Sequence, residues 1–176
     1  MTKFLFLITL FTPSLTFGAF TLEGSWVLSE STMTYHVTHL LKKTEGSTHS
    51  AKGKGKCDKS GECEFLVAAP VKTFDSGNSN RDLHMLEVVK GASFPMIVAH
   101  MKIHNNSGEA EIEFAGVKQT LEIKDIQVTD QKDKSFHVKL QLPIVLSQFK
   151  IERPSLVTVA IDDKTPVSID ATWVRQ

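Results

Sequence analysis

Residues 97–114 read IVAHMKIHNNSGEAEIEF. Ile97, Ala99, Met101 and Ile103 alternate with Val98, His100 and Lys102. After a turn signal at Asn105–Gly108, Ala110, Ile112 and Phe114 alternate with Glu109, Glu111 and Glu113. Successive side chains of a strand point to opposite faces, so this period of two predicts an antiparallel pair, dry on one face and wet on the other. The pattern recurs outward along the chain in Met33-Tyr35-Val37, in Phe136-Val138-Leu140-Leu142 and in Val167-Ile169-Ala171-Trp173. Further turn signals stand at Asp58–Gly61, Ala115-Gly116, Thr129–Lys134 and Asp162–Pro166. Their spacing predicts an all-β, up-and-down antiparallel meander of about eight strands or slightly more. Closing such a sheet into a barrel removes its edges, with a two-sheet sandwich as the alternative. No internal repeat or linker argues for a second domain.

One segment breaks the pattern. Ser79 to Pro95, SNRDLHMLEVVKGASFP, suits a helix of about three turns near residues 79–90. Ser79 or Asn80 can cap it, Asp82 sits in the first turn, and Lys90 and Gly91 mark its end. Leu83, Leu86 and Val89 are expected on its buried side. Arg81, Asp82 and His84 bring a base, an acid and a histidine into one turn.

The N-terminus reads as a secretory signal, with Lys3, the apolar run Phe4–Phe11, and small or polar residues up to Gly18-Ala19. A helix from Phe4 to Phe17 would reach only about 21 Å, short of a ~30 Å hydrocarbon core, so no permanent membrane span is expected. Cleavage after Gly18 would assign residues 1–18 to the signal and 19–176 to one exported domain, periplasmic or secreted. The whole chain has 20 basic and 20 acidic residues. That balance gives no basic face for nucleic acid. Cys57 and Cys63 are the only cysteines and bracket the turn-forming DKSGE. In an oxidising compartment they are expected to pair and clamp a hairpin, worth on the order of 2 kcal/mol. The spacing is not that of a C-x-x-C redox pair or of a haem attachment site.

Chemical signatures are otherwise sparse. His100 and His104 would share a strand face, yet four residues of strand span about 13 Å, too far for two ligands of one metal. His36 and His39 differ by an odd number and point to opposite faces. No metal or cofactor is expected, and solvated histidines are the plain reading. Catalysis by Arg81, Asp82 and His84 lacks an activated nucleophile at a readable spacing, and no phosphate loop or nucleophile elbow appears. Lys52, Lys54 and Lys56 alternate with Gly53 and Gly55. They read as guards of an edge strand, or else as contacts to anionic lipid headgroups. The barrel interior must be filled by side chains or by a guest, and eight-stranded barrels do either.

The residues also match a known pattern. Arg81-Asp82-Leu83-His84-Met85, the step Phe94-Pro95 into a strand, His39-Leu40 at the end of an early strand, and FAGVKQTLEI at Phe114–Ile123 together resemble the YceI-like family. The resemblance runs from about Gly24 to Trp173, and departs at Phe149–Leu156 and in the cysteine pair. It implies a lipocalin-like barrel that binds a polyisoprenoid or similar long-chain lipid in the periplasm, and that is not an enzyme. On that reading Tyr35, Val37, Phe65, Val67, Phe114, Phe136, Leu140 and Phe149 surround the ligand, joined by Phe94. Arg81 and His84 meet a polar headgroup with Asp82 orienting them, or the three merely brace the helix against the barrel. The alternative function is a solidly packed or metal-binding stress-related protein without lipid cargo, or an enzyme built on the same three residues. A homodimer is compatible with the sequence.

Overall fold

The first strand sets the curvature. β1 (Gly24–His39) carries an extra residue between Leu28 and Glu30 where it pairs with the last strand. That bulge bends the strand and shifts its alternation by one. Trp26 and Leu28 therefore face inward before it, and Met33 and Tyr35 after it.

The computed structural model describes residues 22–156 and 158–176. The expected signal at residues 1–18 lies outside them. β2 (Lys42–Thr48) pairs with the second half of β1, and β3 (Lys52–Cys57) with its start. From β3 a meander runs through β4 (Glu62–Pro70), β5 (Met96–His104), β6 (Ser107–Phe114) and β7 (Val117–Ile123). On the other flank β12 (Val167–Arg175) lies between β1 and β9 (Ser135–Leu142), and β8 (Gln127–Lys132) follows β9. β10 (Ser155–Leu156) and β11 (Val159–Ala160) form a small separate ribbon.

The described residues thus form a ten-stranded antiparallel sheet, in keeping with the expected meander of about eight strands or slightly more, and the last strand inserts beside the first instead of at the edge. Turn signals cannot reveal that insertion, because it depends on long-range pairing. The sheet curls into a barrel with a seam where β7 approaches β9 without strand pairing. The turn Leu146–Phe149 covers the seam, and the Gln119 side chain donates to the Gln148 carbonyl at 3.0 Å. Ala115 and Gly116 (φ 50° and 77°) make the two-residue turn whose twist matches a hairpin.

One end of the barrel is plugged by aromatic rings. Trp26 meets Phe136 edge-on at 4.7 Å, Phe65 lies 4.7 Å from Trp173, and Phe136 stacks near Trp173 at 6.4 Å. Gly55 and Gly53 make room for the plug: a Cβ on either would collide with Phe65 or Trp173. The Cys57–Cys63 disulfide joins directly opposed residues of β3 and β4 beside it and is buried. β3 is an interior strand between β1 and β4, so Lys52, Lys54 and Lys56 guard no edge; they lie on its exposed outer face. Their alternating glycines serve the plug.

Candidate functional site

The helix α1 (Ser79–Val88) sits over the opposite, open end. Its cap is Asn78, not Ser79 or Asn80, and the Asn78 carbonyl oxygen of the side chain accepts the Arg81 N–H at 3.0 Å. Arg81, Met85 and Val88 share one side, at the i, i+4, i+7 spacing of a helical stripe, and face the interior with Val89, while Leu83 lies on the opposite side. Leu83 is consequently exposed, contrary to the expectation of a buried Leu83 face. Lys90, at φ 55°, takes the left-handed closing position expected of Gly91.

Arg81 and Asp82 are tied to the loop before the helix. Ser76 donates its hydroxyl and its backbone N–H to Asp82, while Arg81 donates Nε to the Ser76 hydroxyl at 2.8 Å and Nη2 to the Ser76 carbonyl at 2.6 Å. The loop is in turn paired to β2 through Ser47 and Asp75. The carboxylate and guanidinium therefore brace the helix on the barrel. Arg81 also reaches the interior wall. His84 stands at the rim, its side chain 62% exposed and 3.6 Å from Glu87.

Beneath the helix the barrel is hollow, with a cavity of about 480 Å³. That size lies within the ~300–1,000 Å³ usual for small-molecule sites. Its walls are the inward residues of β1, β4, β5, β6, β9 and β12, almost all apolar, and its basic neighbours His39, Lys42, Arg81 and His84 stand at the mouth. Of the residues expected around a ligand, Tyr35, Val37, Val67, Phe114, Leu140, Arg81 and His84 line the cavity. Phe65 and Phe136 do not; they belong to the aromatic plug below it. Phe149 is fully buried behind Phe114, 5.6 Å between rings, and Asp82 points to Ser76. Phe94 lies outside, against the Gly116 turn. Aromatic size attracted attention to these rings, but depth in the barrel is set by strand register, which one strand's pattern does not contain.

Wall residues not singled out from the sequence include Ala99, Met101, Ile112 and Ala171. Their alternation was legible, and only their small size or plain chemistry kept them in the background. Thr165 gave no signal. It precedes β12, is 6% exposed, lines the cavity, and its hydroxyl has no partner among the described residues.

Tyr35, the single tyrosine, reports on this site. Burial raises its pKa above the ordinary value near 10, and the nearby Asp82 charge adds to the rise. The fold thus favours the neutral phenol, a preference present below the unfolded pKa and lost as pH rises through the folded one. Tyrosinate absorbance should titrate with a midpoint above ~10, and Asp82→Asn should move that midpoint down. A midpoint unchanged by the substitution would remove Asp82 from the surroundings of Tyr35.

The YceI-like domain model matches residues 26–173, most of the chain, from within β1 to within β12. The chain belongs to the YceI-like family. Solved structures share its fold at low identity. BcnA of Burkholderia cenocepacia is 15% identical, covering 81% of this chain and 95% of that one, with a TM-score of 0.67. A polyisoprenoid binding domain of Saccharophagus degradans is 10% identical over 86% and 98%, with a TM-score of 0.65. A YceI protein of Campylobacter jejuni is 22% identical over 79% and 90%, with a TM-score of 0.61. No curated protein sequence matches the chain. Among the described residues of this YceI-like protein, no helix is long and apolar enough to cross a membrane.

Proposed function

We propose that the protein is an exported carrier that holds one amphiphilic isoprenoid or similar long-chain lipid, tail in the barrel and polar group toward the mouth. The observation that carries this reading is the cavity: deep, apolar, plugged at one end, with its charged side chains at the other. The polyisoprenoid binding domain from Saccharophagus degradans, a structure of the same fold, supports the choice of ligand class. Each buried CH₂ supplies roughly 0.8 kcal/mol, so about ten of them outweigh a substantial ordering cost. The role is binding rather than turnover, because Arg81 and Asp82 are spent on Ser76 and the helix brace.

Thr165 sharpens the proposal. A buried hydroxyl without a partner is costly, and a guest's polar group would satisfy it. Trp173 lines the cavity, so its fluorescence can follow titration with a detergent-dispersed polyprenol. Saturable binding is expected. Thr165→Val should weaken it about two- to tenfold without destabilising the empty protein. Unaltered affinity in the variant would remove Thr165 from the site, and no saturable response to any long-chain alcohol would sink the carrier reading.

A further inference from the structure

A carrier of long apolar chains collects or delivers them at a bilayer, since free transfer through water forfeits the energy of burial. The mouth end has a feature suited to that step. The β1–β2 turn reads His39-Leu40-Leu41-Lys42-Lys43. Leu40 is 82% exposed and Leu41 71%, and Val159 of the adjoining ribbon is 42% exposed. Scattered single apolar residues on a surface are ordinary, but two adjacent leucines at the tip of a hairpin are not.

The turn is held in shape. His39 is buried beneath it and uses both ring nitrogens: Nδ1 accepts the Leu41 N–H at 3.2 Å, and Nε2 lies 3.1 Å from the Val159 carbonyl. A carbonyl only accepts, so Nε2 carries the proton. Asp162 N–H donates to the Thr38 carbonyl at 2.8 Å and ties the following loop to the same strand end. The leucines are therefore presented outward by a braced turn. Lys42 of that turn also lines the cavity, which puts the tip on the rim. Lys42 and Lys43 are exposed and make no ion pair among the described residues, whereas Glu45 on the same hairpin is engaged by His36.

We propose that this turn is a docking foot for an anionic lipid bilayer. Leu40 and Leu41 enter the interface, Lys42 and Lys43 meet the headgroups, and the mouth of the cavity is set on the membrane. Apolar side chains flanked by lysines are the chemistry of interfacial anchors. Asp162 beside Thr38 and Glu87 on α1 lie at the same end, so the leucines supply more of the attraction than charge does. The proposal rests on the carrier reading for its purpose, but not for its measurement.

The test is co-sedimentation of the mature chain with phosphatidylcholine–phosphatidylglycerol vesicles and with phosphatidylcholine alone. Binding is expected to be tighter to the anionic vesicles and weakened by salt. Leu40→Ala with Leu41→Ala should reduce it about tenfold or more, since several inserted CH₂ equivalents are removed. Lys43→Gln should reduce it on anionic vesicles only. Both variants should keep the wild-type melting temperature and polyprenol titration, because none of these three residues lines the cavity. Equal vesicle binding by the leucine variant, or none by the wild type, overturns the docking foot. So does a leucine-dependent dimer in light scattering without vesicle affinity, which assigns the face to a second copy. Leucine-dependent vesicle binding with no polyprenol response keeps the foot and removes the carrier; a polyprenol response without vesicle binding does the reverse.

Discussion

Phe136→Ala is expected to lower folding stability by about 3–5 kcal/mol, the cost of deleting a buried aromatic ring from a packed site. The ring is 2% exposed and touches Trp26, Phe65 and Trp173, which come from β1, β4 and β12. Trp26, Trp173 and Phe136 come from the adjacent strands β1, β12 and β9, and Phe65 from β4 across β3, so the plug packs the two flanks of β1 together. The barrel also lacks strand pairing at the β7–β9 seam, which increases its dependence on this cluster. Shrinkage around the hole is limited, because Gly53 and Gly55 offer no side chains to move in. A chain of this length should lose about 6–20 °C in melting temperature. Thermal unfolding monitored by near-ultraviolet circular dichroism checks this, and a shift below about 2 °C would mean that the plug does not hold the barrel together.

The second large effect concerns function. Ala99 on β5 and Ala171 on β12 both line the cavity from strands that are not adjacent in the sheet. Ala99→Trp together with Ala171→Phe should fill much of the space from its walls. Displacing four or five CH₂ groups of a guest costs on the order of a hundredfold in affinity. Overpacking is disfavoured in a solid core but has room here, so the folded state should survive. Polyprenol titration of the folded variant tests the expectation. Wild-type affinity in a correctly folded variant would place the lipid somewhere other than this cavity.

Much of the fold was legible because alternation is a local property. Val167, Ile169, Ala171 and Trp173 stand on one side of β12 in the sequence, and all four line the cavity. The helix was legible for the same reason, although its cap and its inward face were not: Asn78 caps it, not Ser79 or Asn80, and packing on the barrel turns Arg81, Met85 and Val88 inward and leaves Leu83 outside. Long-range facts were hidden. The bulge near Ser29 that reverses β1, and the insertion of β12 beside β1, depend on partners more than a hundred residues away. The same limit explains the site. Phe65 and Val67 lie two residues apart on one face, yet one belongs to the plug and the other to the cavity. Alternation assigns a side, and depth along the barrel requires the register of its neighbours. Thr165 is the extreme case, because an unpartnered hydroxyl exists only once the surroundings are folded.

The carrier reading is tested most directly by extracting the protein, purified without added lipid or detergent from the cells that naturally express it, and identifying the organic extract by mass spectrometry. The prediction is close to one equivalent of a long-chain amphiphile per barrel, an isoprenoid or a lipid of similar length, absent from the Ala99→Trp, Ala171→Phe variant prepared in parallel. A wild-type extract without such a molecule, from protein whose interior takes up no polyprenol afterwards, would contradict it.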